Sequence, residues 1–203
     1  MTTTVWADPM SSPAEADDVK LISSLFSAQK DLIDDVIANL VSRFGPPDWT
    51  SSILTFDRTR YYAREMGWPL YRRFISFHNL IRPEQIVDIK LTTNDIEGCH
   101  LAEGQRRINI DPGYVSLERL ILATGKNYTH RVYLSKGIYA DLTLIYHKGG
   151  FRPLGWTYRD YADPDVIACL NQVRERYKRQ LRGIPLDDVE APSPHGNGRG
   201  GHP

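Results

Sequence analysis

Residues 106–143 read RRINIDPGYVSLERLILATGKNYTHRVYLSKGIYADLT, and the fold turns on how this stretch alternates. From His130 to Tyr146 the even positions are mostly apolar, with Val132, Leu134, Ile138, Ala140, Leu142 and Leu144. The odd positions carry Arg131, Tyr133, Tyr139, Asp141 and Thr143. A two-residue period marks strands with one face on a core, so the segment predicts a hairpin with a buried apolar face and an open polar one. With Ser135-Lys136-Gly137 as a three-residue loop, Val132 faces Ala140 and Leu134 faces Ile138. Tyr133 then faces Tyr139, Arg131 faces Asp141 and Thr129 faces Thr143. Gly137 falls where such loops want a left-handed residue, whereas a two-residue loop would set apolar residues against polar ones.

Upstream, Arg107–Asp111 predicts a short strand with Ile108 and Ile110 inward and Arg107, Asn109 and Asp111 outward. Asp111-Pro112-Gly113 has turn chemistry. Val115–Thr124 predicts a short helix on Val115, Leu117, Leu120, Ile121 and Leu122, starting near Ser116. Backbone N–H groups at that start, with Arg107, Asn109 and Gly113, would make an anion site; the plain alternative is an Asx-type turn. Thr124-Gly125-Lys126-Asn127 is not a P-loop. Position 120 is Leu where Gly is required, and Asn127 replaces Ser or Thr. Gly125 and Lys126 suit a helix end instead.

Further out, Val19–Ser27 reads as a strand, with Ser27 placed to cap the next helix. Leu32, Ile33, Val36, Ile37, Leu40, Val41 and Phe44 give that helix its apolar stripe, and Gly45-Pro46-Pro47 ends it. Ser51–Phe56 and Arg73–His78 read as further strands. Asp57, Thr59, Tyr61 and Tyr62 fall in the loop between them, and Arg72-Arg73 is either a phosphate clamp or a surface pair. Pro83–Leu101 fits a helix begun by Pro83 and a strand alternation equally. If helical, it puts Lys90, Thr93, Asn94 and Glu97 on one solvated face. Phe151–Leu154 is an edge strand. Gly155–Tyr161 reads as an aromatic lid in preference to a base-stacking platform, and Asp163-Pro164 caps a last helix burying Val166, Ile167, Leu170, Val173, Tyr177 and Leu181.

The fold class is therefore α/β (α+β), a mixed, largely antiparallel sheet with helices packed on it. The first six elements follow the ferredoxin-like βαββαβ order, and a helix–hairpin–helix extension comes after them. Residues 1–17 and 183–203 read as disordered tails around a single domain at 18–182. His195 and His202 belong to the second tail. Basic and acidic residues number 25 each, so no overall field calls for nucleic acid or membrane. No apolar run reaches the ~20 residues a membrane helix needs, and the start lacks a signal-peptide pattern; a cytoplasmic location is expected. Cys99 and Cys169 have no metal or disulfide spacing and are expected to be buried thiols. No GxSxG or HExxH motif is present.

These readings converge on a site. His130, Asp111 and Asp141 are the candidate acid/base groups. Arg107, Asn109, Gly113, Tyr114, Lys126, Arg131, Tyr133, Lys136 and Tyr139 are the candidate ligand-binding residues. A small anionic ligand, phosphorylated or carboxylated, suits them. No metal ligand set is read and no cofactor is identified; a homo-oligomer stays open. The alternatives are a protein-interaction module with a tyrosine face and, less favoured by the zero net charge, RNA binding on an open sheet.

The segment DPGYVSLERLILATGKNYTHRVYLSKGIYADLTL resembles the core of the bacterial family DUF4416. VKLISSLFS, FDRTRYYAREMG, RRFISFHNLI, IKLTTNDIE, RRINIDPGY and PLGWTYRDYADPDVI are similar as well, so the resemblance spans residues 19–182. The family pattern has glutamate at Asp141, which shortens the carboxylate's reach here, and an aromatic residue at Tyr139. The resemblance implies no particular activity.

Overall fold

The computed structural model describes residues 13–57 and 60–186. Residues 1–12, 58–59 and 187–203 lie outside the described residues, and with them Thr59, His195, His202 and most of both expected tails. The first strand, β1 (Val19–Ser27), is buried along its whole length. Its apolar residues serve two cores at once, Leu21 and Leu25 one and Ile22 the other, the mark of a central strand. Helix α1 (Lys30–Phe44) comes next, then β2 (Pro47–Thr50), β3 (Leu54–Phe56), α2 (Ala63–Met66) and β4 (Leu70–Ile81). A 3₁₀ turn at Pro83–Gln85 opens α3 (Ile86–Cys99), so the ambiguous segment is helical. The remaining elements are β5 (Leu101–Ala102), β6 (Gln105–Arg106), β7 (Ile108–Val115), β8 (Arg119–Thr124), β9 (Arg131–Ser135), β10 (Ile138–His147), β11 (Gly150–Pro153) and α4 (Pro164–Leu181).

Among the described residues the main sheet runs β11-β10-β8-β7-β1-β4-β2, with β3 beside β4 and β9 beside β10. Every pairing in it is antiparallel. On one face Leu21, Leu25, Ile75, Phe77 and Ile110 pack under α1 and α3. On the other, Ile22, Phe74, Leu120, Leu122 and Leu144 pack under α4. Lys20 is fully buried on the α4 face; its ammonium donates to Asp48, to the Phe77 carbonyl at 3.0 Å and to Gln180 Oε1 at 2.7 Å. Burial holds its proton affinity below the ordinary lysine value, against the opposing pull of Asp48. Asp163 caps α4 by accepting from the Asp165 N–H. No helix of the described residues is long and apolar enough to cross a membrane.

Several expectations are corrected. Ser27 does not cap α1; the N-cap is Gln29, and the Ser27 hydroxyl accepts from the Gln29 N–H while donating to the Arg107 carbonyl. Leu181 is exposed at the C-terminal end of α4, and Cys99 is exposed rather than buried. Lys90, Thr93 and Glu97 are buried instead of solvated.

The largest correction concerns 111–124. Asp111-Pro112-Gly113 is not a turn but the middle of β7, and Val115–Thr124 is not a helix. A turn at Ser116–Arg119, closed by the Ser116 N–H on the Arg119 carbonyl, returns the chain as β8. Leu120 and Leu122 serve one core and Ala123 the other. A strand buried on both faces gives a continuous apolar run, which periodicity cannot tell from a helix.

The hairpin is corrected too. Val132, Tyr133 and Asp141 keep the expected partners Ala140, Tyr139 and Arg131, but Ile138 pairs with Ser135. The loop is thus two residues, Lys136 and Gly137, both with positive φ (51° and 78°), succeeded by a register shift. A second shift at Leu142/Leu144 inserts Thr143 as an extra residue. Even positions before it (Ile138) face the α3 core, while Leu144 after it faces the α4 core. The polar Asp141 and Thr143 are buried, and Val132 and Leu134 are exposed, the reverse of the expectation.

Pro112 sits where this architecture opens. β7 pairs with β1 over its full length but with β8 only at Gly113–Val115. Pro112 has no N–H to offer, and in sheets such residues mark edges and breaks. Beyond it, the backbone of Ile110 is taken over by α3: its N–H donates to Glu97 Oε1 at 2.6 Å, and its carbonyl accepts from Lys90 Nζ at 2.8 Å. Replacing Glu97 with Ala strands a buried N–H, and urea unfolding is expected to show a loss of about 1–3 kcal/mol. Glu97→Gln keeps an accepting oxygen and is expected to lose clearly less; equal losses would remove this bond from the account.

Candidate functional site

A cleft of about 830 Å³ lies where β7 and β8 part, walled by both strands, by α3 and by the loop before α4. Register sets its floor in rows across the α4 face. Arg72, Phe26 and Asn109 are neighbours on β4, β1 and β7; Ser24 lies beside Asp111; Gly113, Leu122 and Asp141 form the row where the sheet is whole. A Cβ at Gly113 would meet the Ile121 carbonyl at 2.3 Å, so only glycine lets β7 and β8 approach so closely there.

The aromatic wall is built on Phe26. Phe56 stacks on it at 4.7 Å and Tyr62 tilts against it at 4.8 Å. The Arg72 guanidinium lies over Phe56 at 4.3 Å and Tyr161 at 5.1 Å, with its Nη2 2.7 Å from Asp160. Burial pushes the Tyr62 phenol up to about 12, helped by the negative charge of Asp111. Tyr161 is raised too, again by burial.

Arg106 organises the other side. It grips Glu65 of α2 through two parallel bonds, of 2.7 and 2.9 Å, and its Nη1 donates to Asn109 Oδ1 at 3.0 Å. Those bonds hold the Glu65 carboxyl below the ordinary glutamate range, whereas burial raises Glu97. Since the Asn109 oxygen is committed to Arg106, the amide orientation is fixed. Its Nδ2 is buried with no hydrogen-bond partner among the described residues, and Asn109, which lines the cleft, is only 5 % exposed. Arg72 Nε is likewise buried and unpartnered. The Tyr161 and Ser24 hydroxyls are neighbours but lie outside hydrogen-bonding geometry.

The loop from Leu154 to Ala162 closes the cleft and is pinned from two sides. Asp160 holds Arg72 on the β4 side. On the β10 side, Arg131 donates to Tyr158 Oη at 2.6 Å and to Asp141 Oδ2 at 2.8 Å. Trp156 stacks on His130 at 5.2 Å and donates to the Leu142 carbonyl, and His130 Nε2 lies 3.3 Å from Asp141 Oδ2.

Of the residues expected from sequence, Asn109, Asp111, Lys126, Arg131 and Asp141 line this cleft together. His130 stands behind Asp141. Tyr133 and Tyr139 pair edge-on at 5.3 Å along the hairpin, and Lys136 at its tip meets Asp88 at 2.7 Å. Arg107 reaches Gln29 on the surface, and Tyr114 packs on the α1/α3 core. Gly113 contributes close packing; no helix start exists to bring its N–H to an anion. The sequence reading does not place Arg106, Phe26, Phe56 or Tyr161 in the site, and it treats Glu97 and Tyr62 as ordinary surface or loop. Of the Arg72-Arg73 pair, Arg72 enters the cleft while Arg73 turns to Asp34. The one signal available for the wall is the aromatic density of FDRTRYY and WTYRDY.

The sequence model of a family described as Domain of unknown function (DUF4416) matches residues 17–177. No curated protein and no solved structure matches the chain.

The Arg106 network has a pH signature. A carboxyl whose folded proton affinity is depressed stabilises the fold above its unfolded pKa, and loses that contribution as pH falls through the folded value. The stability difference between wild type and Glu65→Gln is therefore expected to be full at neutral pH and to shrink as pH drops below the ordinary glutamate range. A pH series of urea midpoints checks it; a difference that is flat or grows in acid would contradict the pairing.

Proposed function

We propose, for a chain that belongs to the DUF4416 domain family, that the cleft beside β7 binds a small ligand through an oxyanion, a carboxylate or a phosphoryl group. The observation that carries this is the unpartnered Asn109 amide. A buried donor without an acceptor costs free energy, and here it is accompanied by Arg72 Nε on the same floor. Both groups are donors, so the missing partner is an acceptor. An anionic oxygen makes the strongest one.

Other features support the reading. Lys126 and Arg159 line the mouth and make no ion pair among the described residues, so the rim favours an anion. The Phe26–Phe56–Tyr62 wall offers an apolar surface to the body of the ligand. A concave cleft in which polar groups converge beside an apolar wall is a usual form of a small-molecule site. The ferredoxin-like reading of residues 19–115 is a proposal on the same footing, supported by the antiparallel order β7-β1-β4-β2.

Asn109→Asp tests the reading cleanly. The substitution keeps the oxygen that Arg106 holds and replaces only the free donor with a second acceptor. The variant is expected to unfold within a few degrees of wild type, yet to bind an oxyanion ligand on the order of 10- to 100-fold more weakly. Thermal-shift titration with carboxylated and phosphorylated metabolites reads both quantities. Unchanged affinity for every wild-type ligand would end the proposal.

A further inference from the structure

Four carboxylates line the cleft, and three are engaged. Asp141 is held by Arg131, Asp160 by Arg72, and Glu97 by the Ile110 N–H. Asp111 has no ion pair or hydrogen bond among the described residues, although it lies on the floor beside Ser24. It shares a face of β7 with Asn109, two residues away and so about 7 Å along the strand. The floor therefore sets a bare negative charge next to a bare donor.

A ligand that was only an anion would meet repulsion from Asp111 wherever it satisfied Asn109. A ligand that also donates removes the conflict and satisfies both groups. We infer that the ligand joins its oxyanion to an ammonium or hydroxyl group seated on Asp111, so that the site takes small amino acids or hydroxy acids, phosphorylated members included. The inference rests on the oxyanion reading of the cleft. A short acid with one hydrogen bond at each end spans the spacing of Asn109 and Asp111. Longer side chains have the Phe26–Phe56 wall to lie against.

Matched triples test it, each holding an amino acid, the corresponding hydroxy acid and the unsubstituted acid. Suitable probes are L-aspartate, L-malate and succinate; O-phospho-L-serine, 3-phosphoglycerate and 3-phosphonopropionate; L-phenylalanine, L-phenyllactate and 3-phenylpropionate. Calorimetric titration of the full chain is expected to find at least one triple in which a donor-bearing member binds roughly tenfold tighter than its unsubstituted acid. Asp111→Ala is expected to erase that difference, and the shape-conserving Asp111→Asn to reduce it while leaving the unfolding temperature near that of wild type. Preference for the amino or the hydroxy acid identifies the donor, and either outcome supports the inference. If all three members bind alike, and Asp111 variants change them alike while Asn109→Asp removes them all, the inference falls and the oxyanion reading stands. If no member of any triple binds the wild-type chain, both fall.

Discussion

The structure depends on one missing hydrogen-bond donor. Pro112 stands in β7 between two partners, and it can donate to neither. On the β1 side the pairing continues regardless, because the other residues of β7 keep it. On the β8 side the ladder ends with Gly113. That break has a cost for the fold. The groups of Ile110 are buried and would be stranded without α3, which lowers Lys90 and Glu97 onto them. The two side chains replace a strand partner with a helix. Because they reach down from above, β8 is free to lean away, and the space between the strands becomes the cleft.

The charges around that space keep a consistent order. Near the floor, each guanidinium is tied to a carboxylate: Arg72 to Asp160, Arg106 to Glu65, Arg131 to Asp141. Such pairs contribute little net stability when the cost of desolvation is counted. Their effect is geometric. Glu65 fixes Arg106 and Arg106 fixes the Asn109 oxygen, so the amide nitrogen has one direction left. Asp160 and Tyr158 tie the covering loop to opposite banks through Arg72 and Arg131. Asn109 Nδ2, Arg72 Nε and Asp111 are among the groups for which the scaffold supplies no partner within the described residues.

Much of this is legible in the sequence, and the failures have physical causes. The helical stripe at Leu32–Phe44 and the cap at Asp163 are local patterns, and the structure has both. The cross-strand partners of Val132, Tyr133 and Asp141 are also legible, since side-chain parity fixes register. Parity cannot reveal the extra residue at Thr143, which moves the strand's apolar set from one core to the other. Nor can local pattern separate β8 from a helix, because that distinction lies in burial on two faces. Of the residues lining the cleft, Asn109, Asp111, Lys126, Arg131 and Asp141 are legible in 106–143, while Arg106 and the residues outside that stretch are not. Phe26, Phe56 and Arg72 join Asn109 only through the pairing of β1, β3, β4 and β7, which are distant in sequence.

Lys20 has a consequence for how the molecule is made. Its ammonium is enclosed by oxygens from Asp48, Phe77 and Gln180, which lie 28, 57 and 160 residues further along. Tyr177 donates to the Asp18 carbonyl at 2.7 Å in the same region. During synthesis from the N-terminus, the central strand therefore emerges long before the last helix that completes its surroundings. A nascent chain ending before α4 would hold a lysine beside a half-open core, with a strong reason to keep that region wet. Docking of α4 is then the step that dries it, and it brings Tyr177 onto the residue that precedes β1. Acquisition of this packing is tied to the synthesis of α4, and a fragment that stops short of it leaves Lys20 without Gln180.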